Sequence, residues 1–386
     1  MMDARLSKAF RSTPTTAPAA ATIPIPIASW LAARSRGGMM PGSVLFHAPS
    51  SVFQAPGGGE NQLVQTGRHL EDRGQAVRLF TPWIDRLDDA RVLHLFGMSR
   101  EGLELARVAR ARRVPVVLSP ICWFEPRAIA ALATSTAGAV RDLAKWAAKA
   151  AVPGLPGWRR ALLQSADAVL PNSHAEARQL VRLFGTDPGR VHVVPNGVSA
   201  SWAHASSALF QDRHGPDPFV LYAGRVEPRK NVLGLIEATV PLGLPLVVLG
   251  DPPPGHEDYS LACRRAGGDR VRWLGAVSHD DPLLASAYAA ARVLALTSWF
   301  ETPGLAALEA ALAGTAVVLT PFGSTREYFG DRVEYARPDR PAEIARAVAR
   351  AWRTGPDLRL APHVAQHYLW SDVARQTAEV YDQVAG

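Results

Sequence analysis

The chain has 386 residues, 47% of them hydrophobic and 20% charged, with a mean hydropathy near zero. That balance belongs to a soluble globular protein with room for two cored domains. No apolar run reaches the roughly eighteen residues of a spanning helix. The two cysteines, Cys122 and Cys263, are far apart and have no metal-ligand spacing, which argues against a disulfide framework and fits a reducing cytoplasm. A formal net charge of +7 and a pI near 9.8 favour anionic partners.

Residues 1–41 are rich in Ala, Pro, Ser and Thr with scattered arginines and are expected to form a disordered basic tail. The apolar Ile23-Pro24-Ile25-Pro26-Ile27 is broken by proline and makes a poor signal-peptide core. Met39 and Met40 are alternative starts. A strand at Val44-Leu45-Phe46 opens a first unit over 42–203 and leads through Gly57-Gly58-Gly59 to a helix from Asn61 to about Arg73. Further strand signals lie at 76–80, 92–96, 115–118 and 168–170, and Arg190 to Val198 predicts a last strand and a turn. Strands alternating with helices imply a doubly wound sheet. After Gly215–Pro218 the alternation restarts in a second Rossmann-like unit over 204–366, with strands at 219–222, 246–249, 271–274, 293–296 and 316–319. A final helix, about Trp370 to Val384, shows apolar residues at helical spacing.

The second unit carries the most informative pattern. Val293 to Leu296 reads as a strand, Thr297 to Gly304 as a loop, and Leu305 to Ala313 as a helix stopped by Gly314. A helix N-terminus at the carboxyl edge of a parallel strand is an anion site. Glu301 lies in its mouth, and Glu309 sits roughly 6 Å up the helix axis with its side chain tilted back. In Tyr222 to Asn231, Gly224 permits a turn, and Arg225 and Lys230 are placed to reach one diphosphate, Arg as a fork and Lys as a point charge. The Lys230 side chain is expected in an open cleft.

Together, Gly224-Arg225 to Lys230-Asn231 and Glu301 to Glu309 resemble the retaining glycosyltransferases of family four, which have the GT-B fold. Val194-Pro195-Asn196-Gly197-Val198, Trp273-Leu274-Gly275-Ala276-Val277 and Gly323-Ser324-Thr325-Arg326-Glu327 add to the likeness. The resemblance implies two Rossmann-like domains facing a cleft, with the C-terminal helix (367–386) crossing back to the first. It implies transfer of a sugar from a nucleotide-sugar donor to the hydroxyl of a glycan or lipid-linked acceptor, with retention and without a metal or other cofactor. Arg225 and Lys230 would hold the diphosphate, Glu309 the ribose and Glu301 the transferred sugar. Backbone at Gly304 and Leu305 would touch phosphate or sugar, backbone near Val277 the base, and Gly58 and Gly59 the donor phosphates and acceptor. The chain departs from the family at Thr302-Pro303, where Gly-Phe is common, and at Ser119-Pro120-Ile121-Cys122, where many members carry a histidine.

Other residues carry weaker signals. Gly57-Gly58-Gly59 makes no dinucleotide fingerprint, since Gln62 stands at the third glycine position. His94 ends a strand and is a catalytic candidate if it faces the cleft; His47 and Glu125 rank with it. Ser173 is expected to cap a helix beginning at His174. Arg141, Lys145 and Lys149 recur on one face, either a solvated helix surface or a contact with an anionic membrane at the inner face. No nucleic-acid-reading motif is present. Alternatives to the transferase are a sugar-nucleotide epimerase on a related fold and a non-catalytic nucleotide-sugar or glycan-binding protein.

Overall fold

The computed structural model describes residues 25–35, 42–49, 57–133 and 135–386. The first sheet contains β1 (Ser43–His47), β2 (Val77–Leu79), β3 (Ala90–Phe96), β4 (Val116–Ser119) and β5 (Ala168–Val169), in the order β2-β1-β3-β4-β5. The second contains β6 (Val220–Ala223), β7 (Leu246–Leu249), β8 (Val271–Gly275), β9 (Val293–Leu296), β10 (Ala316–Leu319) and β11 (Glu334–Tyr335), in the order β11-β10-β9-β6-β7-β8. Every registered pair is parallel. Strands such as Leu246–Leu249 and Ala316–Leu319 are buried at every position, because helices cover both faces of a parallel sheet and leave no polar side. Strand order reverses between β1 and β3 in one sheet and between β9 and β6 in the other. At such switch points the loops leaving the carboxyl ends part and open a crevice.

Three expectations need correction. Residues 25–35, placed within a disordered tail, form a helix. Trp30 is buried against Gly67, where an added Cβ would lie 2.5 Å from its ring, and its Nε1 donates to Glu71 at 3.0 Å. Arg34 forks onto the same carboxylate. The remainder of the tail, 1–24 and 36–41, lies outside the described residues. The strand expected from Arg190 to Val198 is a single bridge, Val169 to Val191. After it the chain departs extended, and Pro195 has no N–H to continue a ladder. β11 was not foreseen.

The C-terminal helix Trp370–Ala385 packs on the first sheet, with Trp370, Val373, Ala374 and Tyr381 in one buried cluster with Val44, Phe46, Leu63 and Val64. The chain crosses between the halves twice, and the crossings are paired: Val198 donates to Tyr368 O at 2.7 Å, and Trp370 N donates to Val198 O at 3.2 Å. Beside them, Tyr328 Oη donates to Asn172 O at 2.5 Å and accepts from Asn196 N at 2.8 Å. Glu327 accepts from His174 N and Ala175 N at 2.7 and 3.0 Å, so a carboxylate of the second half caps a helix of the first. The two halves meet as one continuous structure.

Candidate active site

The site grows from the β9/β6 switch point. Beyond β6, Gly224 has φ +147°, and a Cβ on the facing Gly250 would sit 1.8 Å from its carbonyl oxygen, so the two backbones pass without side chains between them. Tyr222 Oη donates to Arg225 O at 2.6 Å and fixes the turn. A short 3-10 turn, Pro228–Lys230, follows, and Asn231 takes φ +52°. Its side-chain amide donates to Thr297 O and Pro338 O. The first bond ties the loop after β6 to the loop after β9, and the second ties it to the segment after β11.

That tie brings Lys230 Nζ to 2.6 Å from Glu301 Oε1, an oxygen that also accepts from Ser298 Oγ at 2.5 Å. The Lys230 side chain is only 16% exposed and that of Glu301 6%. Lys230 was expected in an open cleft; it is instead walled in by the two loops. Burial pushes the Glu301 carboxyl up, but the charges of Lys230 and Arg229 outweigh it and hold it below the usual carboxylate range. Burial likewise pulls Lys230 below the ordinary lysine value, against the opposing pull of Glu301. Arg225 and Arg229 both reach Glu227, at 3.4 and 3.0 Å. The Glu301 backbone is pinned as well: its N donates to Phe322 O, its O accepts from Ser324 N, and a Cβ on Gly323 would lie 1.9 Å from that oxygen.

Gly304, at φ +93°, leads into the helix Leu305–Leu312, which carries Glu309. Glu309 is buried, with Tyr288 Oη donating to Oε2 at 3.0 Å and His279 Nε2 at 2.8 Å from Oε1. Trp202 stands edge-on to both rings, at 5.5 Å from His279 and 5.4 Å from Tyr288. Burial lowers the His279 pKa, but Glu309 more than reverses this and raises it above the ordinary histidine value. Val277 lies two residues before His279, half-buried against the second core.

The first sheet supplies the facing wall at its own switch point. A Cβ on Gly57 would lie 3.9 Å from Arg225 Cζ, and one on Gly58 would lie 3.7 Å from Leu305 Cδ1. A Cβ on Gly59 would lie 3.4 Å from Ile121 of the same half. Glu60 folds back to accept from Gly57 N at 2.5 Å, and Asn61 Nδ2 comes within 3.5 Å of His279 Nε2. Across the two halves, Gly57 thus faces Arg225, Gly58 faces Leu305 and Asn61 faces the His279–Glu309 pair, beside Lys230, Glu301, Gly224 and Gly304, whereas Gly59 faces its own half.

His94 does not belong to it. It is buried in the first core, with Nδ1 2.5 Å from Tyr381 Oη and Nε2 2.9 Å from Ser119 Oγ, and it stacks on Phe96. Burial pushes its pKa down to about 3, so it is a neutral core residue. His47 is buried with Nε2 3.8 Å from Glu101, and Glu125 precedes the helix Pro126–Ala131. Ser173 caps its helix, as expected, accepting from Glu176 N at 3.0 Å. Glu176 itself ties Cys122 N to Asn172 N, and burial raises its pKa to about 7. Sequence reasoning missed Ser298, Tyr288, His279 and Asn61. Only His279 had a cue, two residues beyond the segment assigned to the base. Among the described residues no group of three or more His, Cys, Asp and Glu side chains could hold a metal ion, and no helix is long and apolar enough to cross a membrane.

Two family models match. Residues 62–197 match the model described as glycosyl transferase 4-like domain, and residues 217–354 that of glycosyl transferases group 1. Among curated relatives, a D-inositol 3-phosphate glycosyltransferase of Xylanimonas cellulosilytica is 33% identical over 245 residues, covering 58% of each chain. One of the same name from a Nocardioides species is 29% identical, covering 86% of this chain and 87% of its own. O-antigen chain mannosyltransferase B of Escherichia coli is 29% identical, covering 57% of this chain and 61% of its own. The chain thus spans little more than half the length of several relatives it matches. Among solved structures, Anabaena Alr3699/HepE in complex with UDP and glucose has a TM-score of 0.66 at 18% identity, covering 89% of this chain and all of its own. Sucrose-phosphate synthase from Thermosynechococcus elongatus has a TM-score of 0.68 at 20% identity, covering 88% and 98%. Both share the two-domain GT-B fold.

Proposed function

The chain belongs to the group 1 glycosyl transferases, and from that membership we propose that it moves a sugar from a nucleotide-sugar donor to an acceptor hydroxyl with retention of configuration. The observation that carries this reading is the meeting of Lys230, Glu301 and the Glu309 helix at one switch point, opposite the Gly57–Gly59 loop. A donor diphosphate laid across Arg225, Lys230 and the N-terminus of Leu305–Leu312 meets positive charge from three directions. Glu309 takes the ribose hydroxyls and Glu301 the hydroxyls of the sugar. As the sugar–phosphate bond breaks, negative charge grows on the departing diphosphate, and each donor aimed at it is worth about 3 kcal/mol. The acceptor hydroxyl attacks from the face the leaving group vacates and passes its proton to a phosphate oxygen. Closure of the first half over the site excludes water. No metal enters this scheme, so EDTA leaves turnover unchanged.

A panel of sugar nucleotides, UDP-glucose first because related folds hold UDP and UDP-glucose, tests the reading by calorimetry and by slow donor hydrolysis. A binder hydrolysed to its α-sugar is expected. Failure of every donor to bind refutes the reading, and an epimerised donor formed without acceptor replaces it.

The acceptor is a glycan or lipid-linked hydroxyl compound bound by the first half, on the cytoplasmic side of a membrane. In the helix Thr136–Ala151 no residue is buried, and Val140, Arg141 and Lys145 are exposed, which suits a peripheral contact with anionic lipid. Sedimentation with phosphatidylglycerol vesicles, lost on reversing Arg141 and Lys145, checks it.

A further inference from the structure

His279 belongs to none of the motifs that mark the donor site, yet it holds the carboxylate on which ribose recognition depends. Its Nε2 lies 2.8 Å from Glu309 Oε1, while Tyr288 Oη donates to Oε2 at 3.0 Å. With one neighbour on each oxygen, the carboxylate cannot rotate. Each carboxylate oxygen accepts two bonds, so one acceptor direction on each remains for a ligand, a pair matched to two vicinal hydroxyls. The holders are themselves held. Trp202 packs edge-on against both rings, and the His279 side chain is only 25% exposed.

We propose that His279 is a positioning residue for the nucleotide sugar: through its bond to Oε1 it aims the Glu309 carboxylate so that both oxygens receive the ribose hydroxyls. The proposal rests on the donor-site reading above. His279 acts through Glu309 and contributes to donor affinity more than to the bond-breaking step, since it stands beside neither the diphosphate ligands nor Glu301. A pre-aimed acceptor saves the donor the entropy of ordering it. Asn61 of the first half approaches the same Nε2 at 3.5 Å, so the aimed carboxylate sits where the two halves meet.

The test is a double-mutant cycle on His279 and Glu309, read by calorimetry with the tightest binder of the sugar-nucleotide panel and by steady-state kinetics. His279→Ala is expected to weaken donor binding about tenfold, the loss of one hydrogen bond to a charged group. At saturating donor, kcat should stay within about threefold of wild type. His279→Gln, whose amide N–H can reach Oε1, should recover most of the affinity. In a Glu309→Gln background, His279→Ala should add little further loss, because both act through one carboxylate. Thermal melts on every variant separate a folding defect from a binding one, and His279→Gln keeps an N–H donor for Glu309 Oε1. Losses that add in the double variant, or wild-type affinity in His279→Ala, overturn the proposal. Wild-type affinity in Glu309→Gln overturns it together with the ribose assignment. A protein that binds no donor at all refutes the broader function instead.

Discussion

Lys230→Ala is expected to cost stability as well as turnover. The substitution leaves the Glu301 carboxylate buried with Ser298 Oγ as its remaining direct donor. Removing one partner of a buried pair typically costs 3–5 kcal/mol. Because Ser298 stays and the lysine side chain is partly exposed, the low end applies, about 3 kcal/mol at pH 7. The pH dependence follows from Glu301. Its folded pKa lies below its unfolded one, so its stabilising contribution is present above the unfolded value and is lost as pH falls through the folded value. In the variant, burial dominates and the carboxyl takes up a proton. The gap between wild type and variant is therefore widest at neutral pH and narrows toward pH 4. Urea unfolding at pH 7 and at pH 4.5 measures both gaps. Equal midpoints at pH 7 would refute the buried pair. The double variant Lys230→Met/Glu301→Gln should regain most of the stability, since it removes both charges, while remaining inactive.

Gly323→Ala places a Cβ 1.9 Å from the Glu301 carbonyl oxygen at φ +97°. It should destabilise by about 3 kcal/mol or more and abolish turnover; a melt within 1 °C of wild type would contradict the close approach. Trp30→Ala should cost about 3 kcal/mol, read by thermal denaturation, because Trp30 belongs to the core beneath β1; an unchanged melt would return residues 25–35 to the status of a tail. Arg225→Ala, which removes a partly exposed arm whose ion pair with Glu227 is 3.4 Å long, should lower kcat about a hundredfold with an unchanged melt. Wild-type kcat would take Arg225 off the leaving group.

Ten of the eleven strands were legible from alternation, because short Val, Leu and Ala runs between helices have few other ways to be buried; β11, two half-buried residues long, was not. The two glutamates and the basic loop were legible as neighbours, since strand order brings the ends of β6 and β9 together. The partnership between Lys230 and Glu301 was not. It depends on Asn231 turning left-handed and bonding across to Thr297, a contact 66 residues away. The helix 25–35 was hidden by its prolines, although Pro26 falls in the first turn, where a helix tolerates it. What orders that helix is Gly67, whose lack of a side chain lets Trp30 lie flat. His94 was read as ending a strand, but it lies two residues inside the end of β3, where its side chain meets Tyr381 in the core.

The stitched crossings near Tyr328 limit how the two halves can move. Sliding one past the other would tear the bonds from Val198 to Tyr368, from Trp370 to Val198 and from Tyr328 to Asn172 and Asn196 all at once. A tilt about that seam leaves them intact. The soft coordinate is therefore angular, like a book opening from its spine, and such a tilt would change the separation of Gly57 from Arg225 across the two halves.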